Sequence, residues 1–370
     1  MNFDLTEEQE MLRDSAERLL RESYDANSRM KLLKTADGFS REHWKQYADL
    51  GWLGISLPED VGGLGWSIAD TCVLLEALGG SVVLEPYLTT AVLGAQLVNR
   101  SGSESHRQTL LPALIGGELM LALAHHEPGN RYDDAAVTTT ARKSGDGWVI
   151  NGTKQMVYAA PSADKLIVSA KPEGAAGFAL FIVDRESKGL ETFHYELIDG
   201  TRAADIRFKE VVLPADALLA DAGKAPALVE EVLDVTAICA TAEALGTMEA
   251  ALTITSEYIK TRNQFGQPIG KFQALQHRMA EMFVETQQTR SILFRGLSLL
   301  DAAPDERRRA VSFTKAHAGD SSFFVGANGI QLHGGYGMTE EYQISHVFKK
   351  LVAFQKSWGD TDWHYKRAVA

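Results

Sequence analysis

The hydrophobic pattern divides the chain into three textures. In FDLTEEQEMLRDSAERLLRESY, Leu5, Met11, Leu12, Ala16, Leu19 and Leu20 recur near helical period. DTCVLLEALGG and LTTAVLGAQLVNR also read as helices, with Gly79-Gly80 as a stop signal and PEDVGGLG (58–65) as a turn-rich loop. The runs GWVING, DKLIVSAK and GFALFIVD are short, rich in β-branched and aromatic residues, and separated by Gly, Asp, Asn and Pro. They read as a small antiparallel β domain. Then LVEEVLDVTAICATAEALGTMEAALTITSEYIKTR forms a long helical pattern that is apolar on more than one side, so it is buried or sits in an oligomer core. MAEMFVETQQTRSILFRGLSLL and RRRAVSFTKAHAGDSSFFVGANGIQL give two further helices, the last stopping at HGGYG (333–337). The expected fold class is α+β, with an N-terminal helical domain over 1–118, a middle antiparallel β domain over 119–222 and a C-terminal four-helix-bundle domain over 223–370.

Composition narrows the partners. The 370 residues are 45% hydrophobic, ample for a core. A net charge of −12 argues against nucleic acid or an anionic membrane as the main partner. No apolar run reaches the ~18 residues needed to span a bilayer. The acidic, amphipathic opening is neither a signal nor a transit peptide, and a cytoplasmic location is expected. Cys72 and Cys239 lack CxxC spacing and read as buried free thiols in a reducing compartment.

One stretch raises a chemical question. KTRNQFGQPIGKFQALQHRM (260–279) interrupts two long helical patterns with Arg262, Gln264, Phe265 and Gly266. This stretch, QLHGGYGMTEEYQ, EEQEMLRDSAERLL, LGWLGISLPEDVGGLG and ADIRFKEVVLPADALLA together resemble the acyl-CoA dehydrogenase family along the whole chain. YDANSRMK, LEPYLTT, HHEPGNRYD and WGDTDWH are most similar to the small subunits of pimeloyl-CoA dehydrogenases and related two-subunit bacterial enzymes.

The resemblance implies FAD. It implies that Arg262 reaches the diphosphate of an FAD in a neighbouring subunit, a role suited to paired charge-assisted hydrogen bonds. The helix start after the turn would add backbone donors. Phe265 would offer an apolar face to the adenine side, with Gln264, Gln273 and Gln331 as polar contacts. Gly334 and Gly335 would let the backbone approach the dinucleotide. In isolation Arg262 reads as an ordinary helix-end arginine; only the full motif turns it towards the diphosphate. HEPGNRYDDAAVTTTA stands at the family's flavin-contacting loop, where His126 replaces the usual Thr. Met156 stands for the family's Trp against the isoalloxazine, and Tyr158 for a nearby Thr. Neighbouring His125 and His126 on a strand would point to opposite sides, which argues against a metal site.

The pattern breaks at the base. The family's chemistry removes an α-proton from an acyl thioester while a hydride leaves the β-carbon for the flavin, and this needs a carboxylate. Counting from HGGYG places Trp358 at the usual glutamate position. Counting back from Arg262 places Thr236 at the family's alternative position on the long helix. Glu243 remains as the catalytic candidate, seven residues beyond Thr236 on the same helix face and amid Cys239, Ala240, Ala242, Ala244 and Leu245. A base, a polar contact to substrate or flavin, and a structural ion pair all stay open for it. Asp360 is a weaker candidate that reads as a turn aspartate, and Asp234 reads as a surface or CoA-side residue.

The implied function is flavin-dependent α,β-dehydrogenation of an acyl-CoA by one subunit of a hetero-oligomer with a non-standard or partner-supplied base. The implied partners are an acyl-CoA, a homologous subunit (a heterotetramer) or a second copy, and an electron-transfer flavoprotein. Alternatives are a non-catalytic subunit that completes its neighbour's FAD site, and a flavin-dependent monooxygenase on the same fold.

Overall fold

A computed structural model describes residues 4–370. Eleven α-helices occur among them. In the N-terminal part these are α1 (Glu7–Ser23), α2 (Ala26–Leu32), α3 (Arg41–Asp49), α4 (Ile68–Gly80), α5 (Ala95–Arg100) and α6 (Glu104–Ile115). Eight strands follow: β1 (Leu121–Ala124), β2 (Thr140–Ser144), β3 (Gly147–Tyr158), β4 (Lys165–Pro172), β5 (Ala179–Asp184), β6 (Leu190–Glu196), β7 (Arg202–Leu213) and β8 (Leu218–Ala220). After them come α7 (Ala225–Thr261), a two-strand ribbon of β9 (Asn263–Gln264) and β10 (Gln267–Pro268), α8 (Gln273–Ser298), α9 (Pro304–His333), α10 (Gln343–Lys356) and α11 (Thr361–Val369). No helix among the described residues is long and apolar enough to cross a membrane.

The chain forms two compact units. The first holds residues 4–32, 68–83 and 237–370 and is helical apart from the small ribbon. α1 starts on a capping box, in which Thr6 Oγ1 accepts from Gln9 N and the Gln9 side chain accepts from Thr6 N. Its buried stripe is narrower than the sequence pattern suggested. Leu12, Ala16 and Leu20 are buried at four-residue spacing, while Met11 is 66% exposed.

The breadth of apolar residues on α7 has an intramolecular cause. A Cβ on Gly79 of α4 would lie 1.9 Å from the Glu243 carbonyl oxygen. A Cβ on Gly246 would lie equally close, 1.9 Å, from the Glu76 carbonyl oxygen. Reciprocal glycines thus let α4 and α7 touch backbone to backbone, and Thr247 Oγ1 donates to the Gly79 carbonyl at 2.9 Å. Cys239, Ala240, Ala242, Ala244, Leu245 and Met248 are all buried. This crossing also brings the two thiols together. The hydrogen bond with Cys239, then burial, pushes the Cys72 thiol up, so Cys72 stays protonated at neutral pH.

The second unit holds 33–67 and 84–236. Its sheet runs β6-β7-β3-β2-β4-β5-β8, with β1 added on β4. Pairings are antiparallel except at β4, which runs parallel to β1 and to β2. Alternate residues such as Ile150, Val168, Phe181, Ile206 and Phe208 fill its core. LTTAVLG, read as α-helix, is a π-helical segment that leads into α5.

Candidate functional site

Within the first unit, the interruption between α7 and α8 is a tight hairpin. Phe265 and Gly266 both lie at positive φ (53° and 80°), the geometry of a two-residue turn whose twist suits a β-ribbon. Glycine takes this conformation freely. Phenylalanine does not, and its ring is 91% exposed at the tip. Arg262 lies at the foot of the ribbon, where its carbonyl accepts from Ile269 N at 2.9 Å. Its side chain, with those of Gln264 and Gln273, is exposed. At the far end of α9, Gln331, Gly334 and Gly335 are also exposed. Gly334 closes that helix at φ 59°, ψ −144°, a conformation that excludes a side chain, and nothing lies within 4 Å of where its Cβ would be.

Next to this end lies an aromatic group. Tyr258 stacks on His333 at 4.2 Å between centroids, and Tyr336 packs on Tyr342 at 4.7 Å. Burial lowers the pKa of His333, whose Nδ1–H donates to the Gly329 carbonyl at 2.7 Å.

Within the second unit, the residues expected at the flavin sit on one margin of the sheet. The register of β3 against β7 shifts between Lys154 and Val157, a bulge that turns Met156 out at φ 51° and leaves it 44% exposed. Asp205 fixes the bulge by accepting from Met156 N (3.0 Å) and from the Tyr195 hydroxyl (2.8 Å). The Tyr158 hydroxyl reaches Met156 Sδ at 3.4 Å. His126 follows β1 in a loop rather than on a strand. Its carbonyl accepts from Gln155 N at 2.8 Å, and its ring is half-buried. Burial, reinforced by Lys154, lowers its pKa, so the imidazole is neutral near pH 7.

A buried polar network underpins this margin. Lys154 is fully buried and donates to Glu127 Oε1 (2.7 Å), Ser169 Oγ (2.8 Å) and the His125 carbonyl (3.1 Å). Because Ser169 Oγ accepts from Lys154, its own hydrogen is left for His125 Nδ1, 2.9 Å away. His125 Nε2 then faces Asp134 at 3.6 Å. Burial and the Lys154 charge push the His125 pKa well below 6.5, which agrees with this neutral tautomer. Glu127 also accepts from Thr138 N and Thr139 N at 2.7 and 2.9 Å. Burial opposes its charge, but Lys154 and these donors prevail and hold its pKa down to about 2. Lys154 is lowered by burial to about 8. The sequence carries a signal for this lysine, a lone cation in the strand run NGTKQMV, although only the fold supplies its partners.

The two family base positions, Thr236 and Trp358, and the two carboxylate candidates, Glu243 and Asp360, have separate surroundings. Thr236 is fully buried, and its hydroxyl donates to the Val232 carbonyl at 2.7 Å. Glu243 Oε1 lies 3.1 Å from Lys350 Nζ of α10, with both side chains about one-seventh exposed (14% and 13%). Asp360 is buried and caps α11, accepting from Trp363 N at 2.9 Å. Trp358 is half-buried and stands at φ 58°.

Three family models match the chain: the acyl-CoA dehydrogenase N-terminal domain over 6–118, the middle domain over 122–211 and the C-terminal domain over 227–366. The chain belongs to the acyl-CoA dehydrogenase family. It therefore belongs to a family of FAD-dependent oxidoreductases and has their three-part fold of helices, β domain and helices. The 3-(aryl)acrylate reductase of Clostridium sporogenes is 31% identical over 327 residues, 86% of each chain. Subunit CarC of the caffeyl-CoA reductase-Etf complex of Acetobacterium woodii is 29% identical over 325 residues, 85% of each. A solved variant of the Tcur3481-Tcur3483 steroid ACAD superposes with a TM-score of 0.89 at 30% identity, covering 98% of this chain and 97% of that one.

The residues present fit FAD. An exposed arginine beside a helix start suits a diphosphate, and an open glycine turn leaves room for a nucleotide. An outward-turned Met beside a neutral imidazole suits a flavin ring.

Proposed function

We propose that the chain is one subunit of a two-subunit acyl-CoA dehydrogenase, acting on the CoA thioester of a bulky, ring-bearing acyl group with a base from the homologous partner. FAD, when bound, supplies the hydride-accepting ring. Arg262, Gln264, Phe265, Gln273, Gln331, Gly334 and Gly335 hold the dinucleotide, and His126, Met156 and Tyr158 meet the flavin. An electron-transfer flavoprotein takes the electrons.

The observation that carries the partner-supplied base is the Lys350–Glu243 ion pair. The contact engages the Glu243 carboxylate with a side chain of a neighbouring helix, the structural role that its sequence left open. With Trp358 and Thr236 at the two family positions, neither of those positions supplies a carboxylate to take the α-proton. The ring-bearing class draws on three of the similar proteins, whose names specify an aryl acrylate, a caffeyl thioester and a steroid, whereas others name short aliphatic groups such as isobutyryl and isovaleryl.

The test is co-expression with any longer homologue found encoded beside this chain, followed by gel filtration, the flavin spectrum and flavin reduction by substrate. A stable complex that reduces flavin, with Glu243→Gln changing the rate little, supports the reading. Rapid dehydrogenation of straight-chain acyl-CoA by this chain alone would sink it. A cofactor check runs beside this. Arg262→Ala removes a charge-assisted contact worth roughly 1.5–3 kcal/mol, so the variant should shed FAD on dilution.

A further inference from the structure

Between α10 and α11 the backbone makes a turn that a bulky residue resists. Trp358 has φ 58° and Gly359 φ 92°. A left-handed conformation costs a side chain such as tryptophan on the order of 1–3 kcal/mol, and it persists only where surrounding groups enforce it. Here they do. His364 Nε2–H donates to the Trp358 carbonyl at 2.8 Å. The buried Lys315 ammonium donates to the carbonyls of Gly359 (3.2 Å) and Phe354 (3.0 Å) and lies 4.1 Å from the Phe354 ring centroid. A Cβ on Gly359 would fall 2.5 Å from His364 Nε2 and 2.6 Å from Trp363 Cε3, so glycine is required there. The carbonyls of Phe354, Trp358 and Gly359 are thus all fastened by buried side chains, while Trp358 itself stays half-buried.

This arrangement is costly for a plain connection. A loop between two helices could be closed by glycine or asparagine without burying a lysine and a neutral histidine beneath it. What it achieves is a fixed backbone position from which a large flat side chain projects. An indole has no basicity to offer, but its face stacks on planar rings with about 0.5–1.5 kcal/mol beyond simple area burial.

We propose that Trp358 is a specificity-determining contact of the acyl group, a fixed aromatic platform that favours aryl and fused-ring acyl thioesters over straight-chain ones, with Lys315 and His364 as its positioning residues. The inference rests on the dehydrogenase reading, which places Trp358 at the reacting end of the substrate.

The test uses the FAD-loaded protein, with its partner subunit where the two purify together. Cinnamoyl-CoA and butyryl-CoA are titrated calorimetrically into wild type, Trp358→Phe and Trp358→Ala. Trp358→Ala should weaken cinnamoyl-CoA about tenfold while butyryl-CoA changes less than about twofold, and Trp358→Phe should fall between. Equal losses for both thioesters, or no loss for cinnamoyl-CoA, would overturn the platform role and leave the dehydrogenase reading standing. If wild type binds neither thioester, the dehydrogenase reading fails and the platform with it. Alanine carries the same positive-φ penalty as tryptophan and adds no further strain, so the variant is expected to fold.

Discussion

Two lysines are fully buried, Lys154 under the sheet margin and Lys315 under the turn between α10 and α11. They differ in what answers their charge. Lys154 meets a carboxylate, Glu127, at 2.7 Å, whose side chain is only 2% exposed. Lys315 meets two carbonyls and an aromatic face, with Asp360 supporting its charge only through space. The pKa values follow. Burial takes Lys154 down to about 8 and Lys315 down to about 7. A formal counter-charge retains more of the proton than dipoles do. The lesson concerns dependence. Lys154 and Glu127 need one another, whereas Lys315 serves the backbone and can lose its charge without stranding another ion.

Removing one partner should expose this difference most strongly. Lys154→Met leaves Glu127 buried and unpaired, and should cost about 3–5 kcal/mol in chemical denaturation. Replacing both, as Lys154→Met with Glu127→Leu, should recover a large part of that loss, because no buried charge then remains. Thr138 N and Thr139 N lose their acceptor in the double variant, so recovery will be incomplete. A double variant no better than the single one would show that the pair is not the coupled unit described.

Acid should separate the two regions by pH. The folded pKa of Glu127, about 2, lies below its ordinary 4.5. Its stabilisation is therefore complete above pH 4.5 and is lost as pH falls from there towards 2, on the order of 3 kcal/mol in total. Beneath the turn, burial and then Lys315 hold His364 at about 3 against an ordinary 6.5. The sign is the same, but loss begins earlier, as pH falls below 6.5 and the unfolded chain takes up a proton that the folded chain refuses. Hydrogen exchange followed from pH 7 to 3 should show amides of α11 loosening before those of β3. The reverse order would contradict these assignments.

Much of the fold was legible because periodicity is local. The change from helix to strand and back follows from side-chain spacing alone, and the Arg262 turn and HGGYG are contiguous motifs. What escaped is what depends on distant partners. Glu243 stood out as a carboxylate among small apolar residues, but nothing in its own segment points to Lys350, a residue on another helix. Cys72 and Cys239 looked remote until the glycine crossing of α4 and α7 joined them. That crossing also explains the breadth of apolar residues on α7, for which an oligomer core was one expectation. Met156 could be placed near a flavin by resemblance, while the bulge that turns it outward is a property of strand register. Lys315 in SFTKAHAG carried the same signal as Lys154, a lone cation in a small apolar run, and sequence reasoning passed over both.

The smallest expected effect belongs to Lys315→Met. The substitution strands the carbonyls of Phe354 and Gly359, at about 1–3 kcal/mol for each fully unsatisfied group. It also removes the expense of burying an ammonium, so a net loss of about 1–2 kcal/mol at pH 7 is expected. The pH dependence is more telling than the size. With a folded pKa of about 7 against an ordinary 10.5, the folded wild type sheds the Lys315 proton before the unfolded chain does. The lysine's contribution therefore rises with pH across that window, and a neutral amine still donates to both carbonyls. The deficit of the Met variant should accordingly widen between pH 7 and pH 9. A scaffold role alone would stop there. If Lys315 also positions Trp358, the variant should lose preference for cinnamoyl-CoA over butyryl-CoA at a pH where it is still fully folded. A folded Lys315→Met protein with unaltered preference would confine the lysine to stability, and the two buried lysines would then differ only in the partner that answers their charge.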